Sequence, residues 1–276
     1  MIEAGPLVRL HVSLSRAPWR IAPAWAVLAG ALAVGSPVFQ PALALRVVAA
    51  VVLGDLAWGL VRRSGVTAVI SASADQVRGV GLPYSQDNAP LSRISRALTL
   101  IGMTWQGVLA GLIFLLGGGL LIGLPAVALS VLAVLIGARS WSSARRGVTP
   151  AVSMALLDVL LPWLLGMFAV GWAYADATSR WPPLLVALGF TVLQWGILHA
   201  AASRAGQRSL AIDIGIITVL SVLIALRMPW AAAVVAVLLA PVAYWFHALE
   251  REDGSISACS GPWALIALLV AALALR

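Results

Sequence analysis

The sequence predicts an all-α membrane protein, a single polytopic bundle of about nine transmembrane helices. The first indication is composition: 62% of the residues are hydrophobic and only 10% are charged, whereas roughly a quarter are charged in soluble domains. The second is the length of the apolar runs, which approach the ~20 residues that cross a hydrocarbon core. Because these runs are continuous rather than alternating, they favour helices over the strands of a barrel.

Polar stretches separate the apolar runs, and the longest of these stretches comprises residues 62–96. The end of the second run is the least secure, because the mildly apolar residues 64–74 could extend it toward Asp75. No tandem repeat, soluble domain or low-complexity linker stands out, so residues 1–276 are predicted to form one integral membrane domain. The predicted spans are 21–38, 41–61, 97–117, 119–137, 151–173, 183–201, 209–226, 229–248 and 262–275.

The arginines predict the orientation of these spans. All 18 basic residues are arginine, and with 10 carboxylates they give a net charge of +8. If the N-terminus lies in the cytoplasm, fourteen arginines fall in cytoplasmic segments, including the predicted loops 62–96, 138–150 and 202–208. This asymmetry matches the enrichment of basic residues in cytoplasmic loops. The asymmetry explains the net positive charge without nucleic-acid binding, for which the sequence has no recognition motif. The four remaining arginines are Arg46, Arg180, Arg227 and Arg276.

Three short stretches carry a resemblance to a known family. Residues 15–19 (SRAPW), followed by Pro23–Ala31, resemble the start of the first helix in the UbiA superfamily of membrane prenyltransferases, particularly in its chlorophyll synthase branch. Asp87–Ser95 resembles the segment that follows the family's first aspartate-rich motif, one residue shorter. Ser203–Leu210 resembles the segment that closes the second motif. The order and topology of the three stretches agree with the family, so the resemblance implies a UbiA-like bundle with a cytoplasmic N-terminus.

The resemblance also implies a chemical site, which the sequence preserves poorly. Family enzymes hold a prenyl diphosphate through Mg²⁺ and two carboxylate motifs, because several carboxylates are needed to hold the divalent ions that neutralise the leaving group. When the sequence is aligned with the first motif, one of the motif's two carboxylates is kept, as Asp75. An alternative alignment that begins at Asp55 also keeps only one. The two aspartate positions of the second motif hold a histidine and a serine. The degenerate site comprises Ser71, Asp75, Gly79, Asp87, His199 and Ser203.

Arginines near these motifs are the candidate anion-binding residues. They could bind a diphosphate, although anionic lipid head groups explain such a cytoplasmic cluster at least as well. The candidates are Arg93, Arg139, Arg145, Arg146, Arg204 and Arg208.

Several polar residues lie within or at the ends of apolar runs. His199 and His247 could ligate the metal of a chlorophyll or haem, or each could simply be satisfied at a helix C-terminus. Asp55 and Asp158 lie within spans, and Asp158 is expected to face the bundle interior, because a carboxylate exposed to lipid is costly. The single cysteine, Cys259, excludes an internal disulfide.

These observations predict a non-catalytic UbiA-like protein, an accessory or structural subunit of a membrane complex, for which a photosynthetic complex is a reasonable example. Its cavity is expected to hold an isoprenoid lipid, a quinone or a (bacterio)chlorophyll near Asp75 and His199. Mg²⁺ is expected to bind weakly or not at all, and no catalytic or metal-ligating residue is assigned. The expected partners are membrane lipids and other membrane subunits, and the expected location is the bacterial inner (cytoplasmic) membrane. Glycines that could admit a partner helix are Gly107, Gly111, Gly117, Gly118 and Gly119.

The alternative is an active Mg²⁺-dependent prenyltransferase, moving a prenyl group from a prenyl diphosphate to an aromatic or chlorophyll-type acceptor. Mg²⁺-dependent turnover distinguishes the two hypotheses, and the small number of carboxylates favours the first.

Overall fold

The computed structural model describes residues 21–34, 41–55, 122–144, 151–171, 177–202, 205–248 and 256–276. Within these ranges the chain forms eight helices and no strand. Proline occupies the first position of the first, second and seventh helices, where its missing N–H would have no intrahelical partner. The helices are α1 (Pro23–Ala33), α2 (Pro41–Leu53), α3 (Leu124–Ala144), α4 (Ala151–Ala169), α5 (Ala177–Ala202), α6 (Ala205–Ala225), α7 (Pro229–Ala248) and α8 (Ile256–Ala274).

The all-helical class is confirmed for the described residues, and eight of the nine predicted spans coincide with a helix. The ninth, 97–117, lies outside the described residues. Two predicted loops are wrong in extent. Helix α3 continues into the predicted loop 138–150 as far as Ala144, because residues 138–144 contain neither glycine nor proline. Most of the predicted loop 202–208 is helical because α6 already begins at Ala205.

Among the described helices, three have segments long and apolar enough to cross a membrane: Ala151–Ala169, Trp181–Ala200 and Pro229–His247. The surface supports the same conclusion, because large apolar side chains such as Leu45, Ile217 and Val237 are exposed on several helices. Exposed Trp181 and Trp230 lie near the starts of α5 and α7, as expected for aromatic side chains at a membrane interface. The chain is therefore a membrane-embedded helical protein.

The order of contacts between helices closes into a ring. Helix α4 packs against α5, α5 against α6, α6 against α7, α7 against α8, and α8 against α1, which returns to α4. Helices α2 and α3 pack on the outside of α4, and α2 also contacts α1. An apolar core fills the space inside the ring of α1 and α4 to α8. Trp163, Phe190, Leu193 and Leu268 are fully buried in it.

Glycines fix two of these helix pairs at very short separation. A Cβ atom on Gly30 of α1 would collide with the backbone of Trp163 in α4, and one on Gly166 would collide with the carbonyl of Val27. The α5–α6 pair repeats this arrangement at Gly196. Such small residues are what lets membrane helices approach backbone to backbone. The bundle is therefore organised around glycine contacts that leave no room for a methyl group.

Candidate functional site

The glycine contacts also set the register between α5 and α6. Gly196 lies against Ala211, and Gly215 lies against Leu193, so the two helices are antiparallel with these levels aligned. Gln194 of α5 and Asp213 of α6 consequently lie at nearly the same height in the bundle. Each of them makes a polar contact to a further helix, as described next.

The first polar contact joins α4 to α5. Gln194 Nε2 donates a hydrogen bond to Asp158 Oδ2 at 3.3 Å, and both side chains are buried. The prediction that Asp158 faces the bundle interior is confirmed, because the residue is only 4% exposed. Gln194 supplies a donor to a carboxylate that would otherwise lose a water partner on burial.

Asp158 lies within a widened turn whose cause can be read from the sequence. Residues Leu156–Leu160 are π-helical, and the Leu161 N–H bonds to the Leu156 carbonyl five residues back. The next residue, Pro162, has no N–H for the Asp158 carbonyl, and its ring would press against that carbonyl in a regular α-helix. Widening the turn relieves the pressure, and such insertions are frequent at functional positions.

The second polar contact joins α6 to α7. His247 Nε2 and Asp213 Oδ1 are 3.1 Å apart, and their side chains are 49% and 40% exposed. The sequence raised His247 as a histidine satisfied by the end of its own helix, whereas the structure gives it a carboxylate on the neighbouring helix. Asp213 was not singled out as a site residue, and its only signal was a carboxylate inside an apolar run.

His199 lies in the last turn of α5 and stacks on Trp195, with ring centroids 5.4 Å apart and an interplanar angle of 22°. This is the only residue of the predicted degenerate site that falls within the described residues. Ser203 lies outside them, although it follows α5 by one residue. The remaining members outside the described residues are Ser71, Asp75, Gly79 and Asp87.

Only part of the predicted arginine set can be placed. Arg139 is exposed on α3, near the end of the helix, and makes contacts within the protein. Arg208 lies in the first turn of α6, but its side chain is not described. The other four, Arg93, Arg145, Arg146 and Arg204, lie outside the described residues.

The described polar contacts collect toward one end of the bundle. Asp158 is seven residues from the start of α4, and Gln194 and His199 approach the end of α5, while His247 is the last residue of its apolar span. At ~1.5 Å per residue, Asp158 is about 10 Å from the start of its helix. This end is the one for which the arginine pattern predicts a cytoplasmic location. The opposite end carries exposed Arg227 in the α6–α7 turn.

These contacts define what the described part of the site can do. They provide two carboxylate-centred pairs and a stacked histidine, which suit hydrogen bonding to a polar head group. Among the described residues, no three His, Cys, Asp or Glu side chains are grouped as a metal site would need. Comparison with family models, with curated proteins and with solved structures finds no match.

Proposed function

We propose that this chain is a UbiA-type, nine-span protein of the bacterial inner membrane that serves as an accessory or structural subunit of a membrane complex. It would hold a prenyl-tailed lipid, a quinone or a chlorophyll-type pigment and would not transfer prenyl groups. The closed order of helix contacts, in which α1 returns to α8, supports the topological part of the proposal.

The observation that carries the non-catalytic part is the setting of His199. The second metal motif of the family needs carboxylates at this position and four residues later, so that both face one site on the same helix. Here the first position holds an imidazole that stacks on Trp195, and the second holds Ser203. An imidazole supplies neither the oxygen donor nor the negative charge that a carboxylate brings to a Mg²⁺–diphosphate site.

The proposed ligand lies with its polar end toward the cytoplasmic side. Asp158, Gln194, Asp213 and His247 all make polar contacts in that part of the bundle. The interior shared by α1, α4, α5 and α8 is filled by apolar side chains. We therefore propose that the tail lies outside this packed core.

The test is purification from gently solubilised membranes, followed by mass spectrometry of co-purifying proteins, lipids and pigments. We expect at least one membrane partner and a stoichiometric prenyl-tailed molecule. The matched assay is Mg²⁺-dependent release of diphosphate from a prenyl diphosphate, for which we expect no turnover. Turnover would restore the prenyltransferase alternative, and recovery of a monomer with neither partner nor ligand would refute the subunit proposal.

The proposed orientation needs a separate experiment. Single cysteines can replace Ser143, near the end of α3, and Arg227, in the α6–α7 turn, in a background that lacks Cys259. An impermeant thiol reagent added from outside should label the cysteine at position 227 and spare the one at position 143. The reverse pattern would show that the N-terminus is outside.

A further inference from the structure

The contact between Asp213 and His247 stands in an unusual setting for a polar pair. Both side chains are partly exposed, yet the surface around them is apolar. On α6, Leu210 and Ile217 lie three residues before and four residues after Asp213, so they flank it on one face, and both are more than 60% exposed. On α7, Tyr244 lies one turn before His247 and is 66% exposed. Among the described residues, the pair therefore opens onto an apolar surface of the kind that faces lipid.

The depth of the pair is set by α7. His247 closes the apolar span that begins at Pro229, 18 residues earlier. At ~1.5 Å per residue this distance is about 27 Å, close to the ~30 Å thickness of a hydrocarbon core. His247 consequently lies near the boundary between acyl chains and head groups. Molecules that meet it there have a polar head at the boundary and an apolar tail in the membrane.

The chemistry of the pair restricts the kind of head. When Asp213 accepts the Nε2–H of His247, Nδ1 is left as an acceptor in the neutral ring or as a donor in the imidazolium. This nitrogen can therefore bond to a hydroxyl or to a carbonyl. A phosphate or carboxylate head would instead approach the Asp213 carboxylate, which repels it.

A metal-containing macrocycle also fits poorly. Nε2, the ring nitrogen that projects furthest from the backbone, is engaged with Asp213. Nδ1 is bonded to the ring carbon that carries Cβ, so the plane of a large macrocycle bound there would meet the α7 backbone. A single flat ring bearing oxygens meets neither obstacle, and it could also stack on exposed Tyr244.

The apolar faces of α6 and α7 continue from the pair along the membrane. Val237 is 72% exposed and Ala240 is also exposed on α7, and Ile217, Ser221 and Ile224 are exposed along α6. A chain of isoprene units can lie against these exposed, mostly apolar faces of the two adjacent helices.

We propose that Asp213 and His247 form a head-group site for an isoprenoid quinone or quinol, whose tail lies along the exposed faces of α6 and α7. The inference rests on the proposed function, because it selects the quinone among its ligand classes and assigns it to a surface rather than to the interior. His247 bonds to a quinone oxygen, and Asp213 is a positioning residue that fixes the orientation of the imidazole.

The test uses the full-length protein in lipid nanodiscs titrated with ubiquinone-2, a short-tailed benzoquinone, with quenching of tryptophan fluorescence as the readout. His247→Phe removes the hydrogen bond and should weaken binding by about tenfold, the factor expected for loss of one hydrogen bond of ~1.4 kcal/mol. Asp213→Asn should weaken it less, while His247→Gln, which keeps a polar amide, should restore most of the affinity lost in His247→Phe. The control is Arg227→Gln, which alters an exposed polar residue in the turn at the opposite end of the same two helices and should leave binding unchanged.

Two outcomes would overturn the inference: no saturable quenching by ubiquinone-2 in the unmodified protein, or equal weakening by His247→Phe and Arg227→Gln. Circular dichroism and gel filtration of each variant separate loss of the site from loss of folding. The proposed function is judged by the co-purification experiment alone. A partner with a prenyl-tailed pigment, but no response at His247, would refute only the quinone site.

Discussion

The glycine contact between α1 and α4 gives the most direct quantitative prediction. Replacing Gly30 with alanine adds one methyl group, whose Cβ would lie 2.8 Å from the Trp163 carbonyl carbon and 3.0 Å from its Cα, with the carbonyl oxygen closer still. All three obstructing atoms belong to the backbone, so no rotamer change can remove them. The helices must separate instead.

The size of the effect follows from that separation. Moving the carbonyl carbon to an ordinary contact distance of about 3.7 Å requires a shift of about 1 Å, and the closer carbonyl oxygen requires at least as much. Overpacking that moves backbone costs about 3 kcal/mol, the upper part of the usual range. Alanine offsets about 1 kcal/mol of this through its better helix propensity. The expected net loss in the free energy of unfolding is therefore about 2 kcal/mol.

The measurement is equilibrium unfolding in mixed micelles of a mild detergent and SDS, followed by tryptophan fluorescence. Gly189→Ala is the matched control, because its Cβ would meet only Val219 at 3.4 Å, an ordinary contact. This control gains helix propensity without a collision and should be stabilised by about 0.5 kcal/mol. The two glycine-to-alanine variants should thus change stability in opposite directions.

A second substitution on the same interface sharpens the test. Gly166→Ala should cost about as much as Gly30→Ala, because it collides with the Val27 carbonyl on the facing helix. One separation of α1 from α4 relieves both collisions, so the double variant should lose less than the sum of the two. If Gly30→Ala unfolds at the same free energy as the unmodified protein, or if the two losses add fully, the reasoning is refuted.

Three further predictions concern polar positions. Gln194→Leu should lower the free energy of unfolding by about 2 kcal/mol, because it removes a donor from the buried Asp158 carboxylate; an unchanged value in the same micelle titration would contradict this. Arg227→Gly should raise it by up to about 1 kcal/mol, because Arg227 has a left-handed backbone at φ 59°; a fall would contradict it. On the proposed UbiA-type fold, introducing carboxylates with His199→Asp and Ser203→Asp should give a Mg²⁺-dependent rise in the thermal midpoint that the unmodified protein lacks, and an equal response in both would count against the proposed degenerate metal site.

The fold class and most helix positions could be predicted because a membrane span can be recognised from its own residues alone. A span must be long, continuous and apolar, and segments such as 151–173 and 229–248 meet that requirement without reference to any neighbour. Helix ends could not be predicted as well. A helix such as α3 can continue beyond the apolar stretch wherever no proline or glycine stops it, so hydropathy marks the crossing and not the helix.

The polar contacts were less accessible from the sequence, because each depends on packing between helices. Gln194 and Asp158 are 36 residues apart, and His247 and Asp213 are 34 apart. The first pairing depends on the register of α4 on α5 and the second on the turn at Arg227 between α6 and α7, and neither has a local signature in the sequence. The interior position of Asp158 was predictable because it needed only the cost of exposing a carboxylate to lipid.

The contacts of Asp158 and Asp213 bear on the chemistry that the bundle can support. A diphosphate site needs carboxylates that converge on one point, so that divalent ions bridge them to the leaving group. Asp158 instead bonds across the α4–α5 interface, and Asp213 across the α6–α7 interface. Because α5 and α6 are held together by glycine contacts at the same level, these bonds tie four consecutive helices into one polar layer. Such a layer stabilises the bundle in the part that the head group of the proposed ligand would approach.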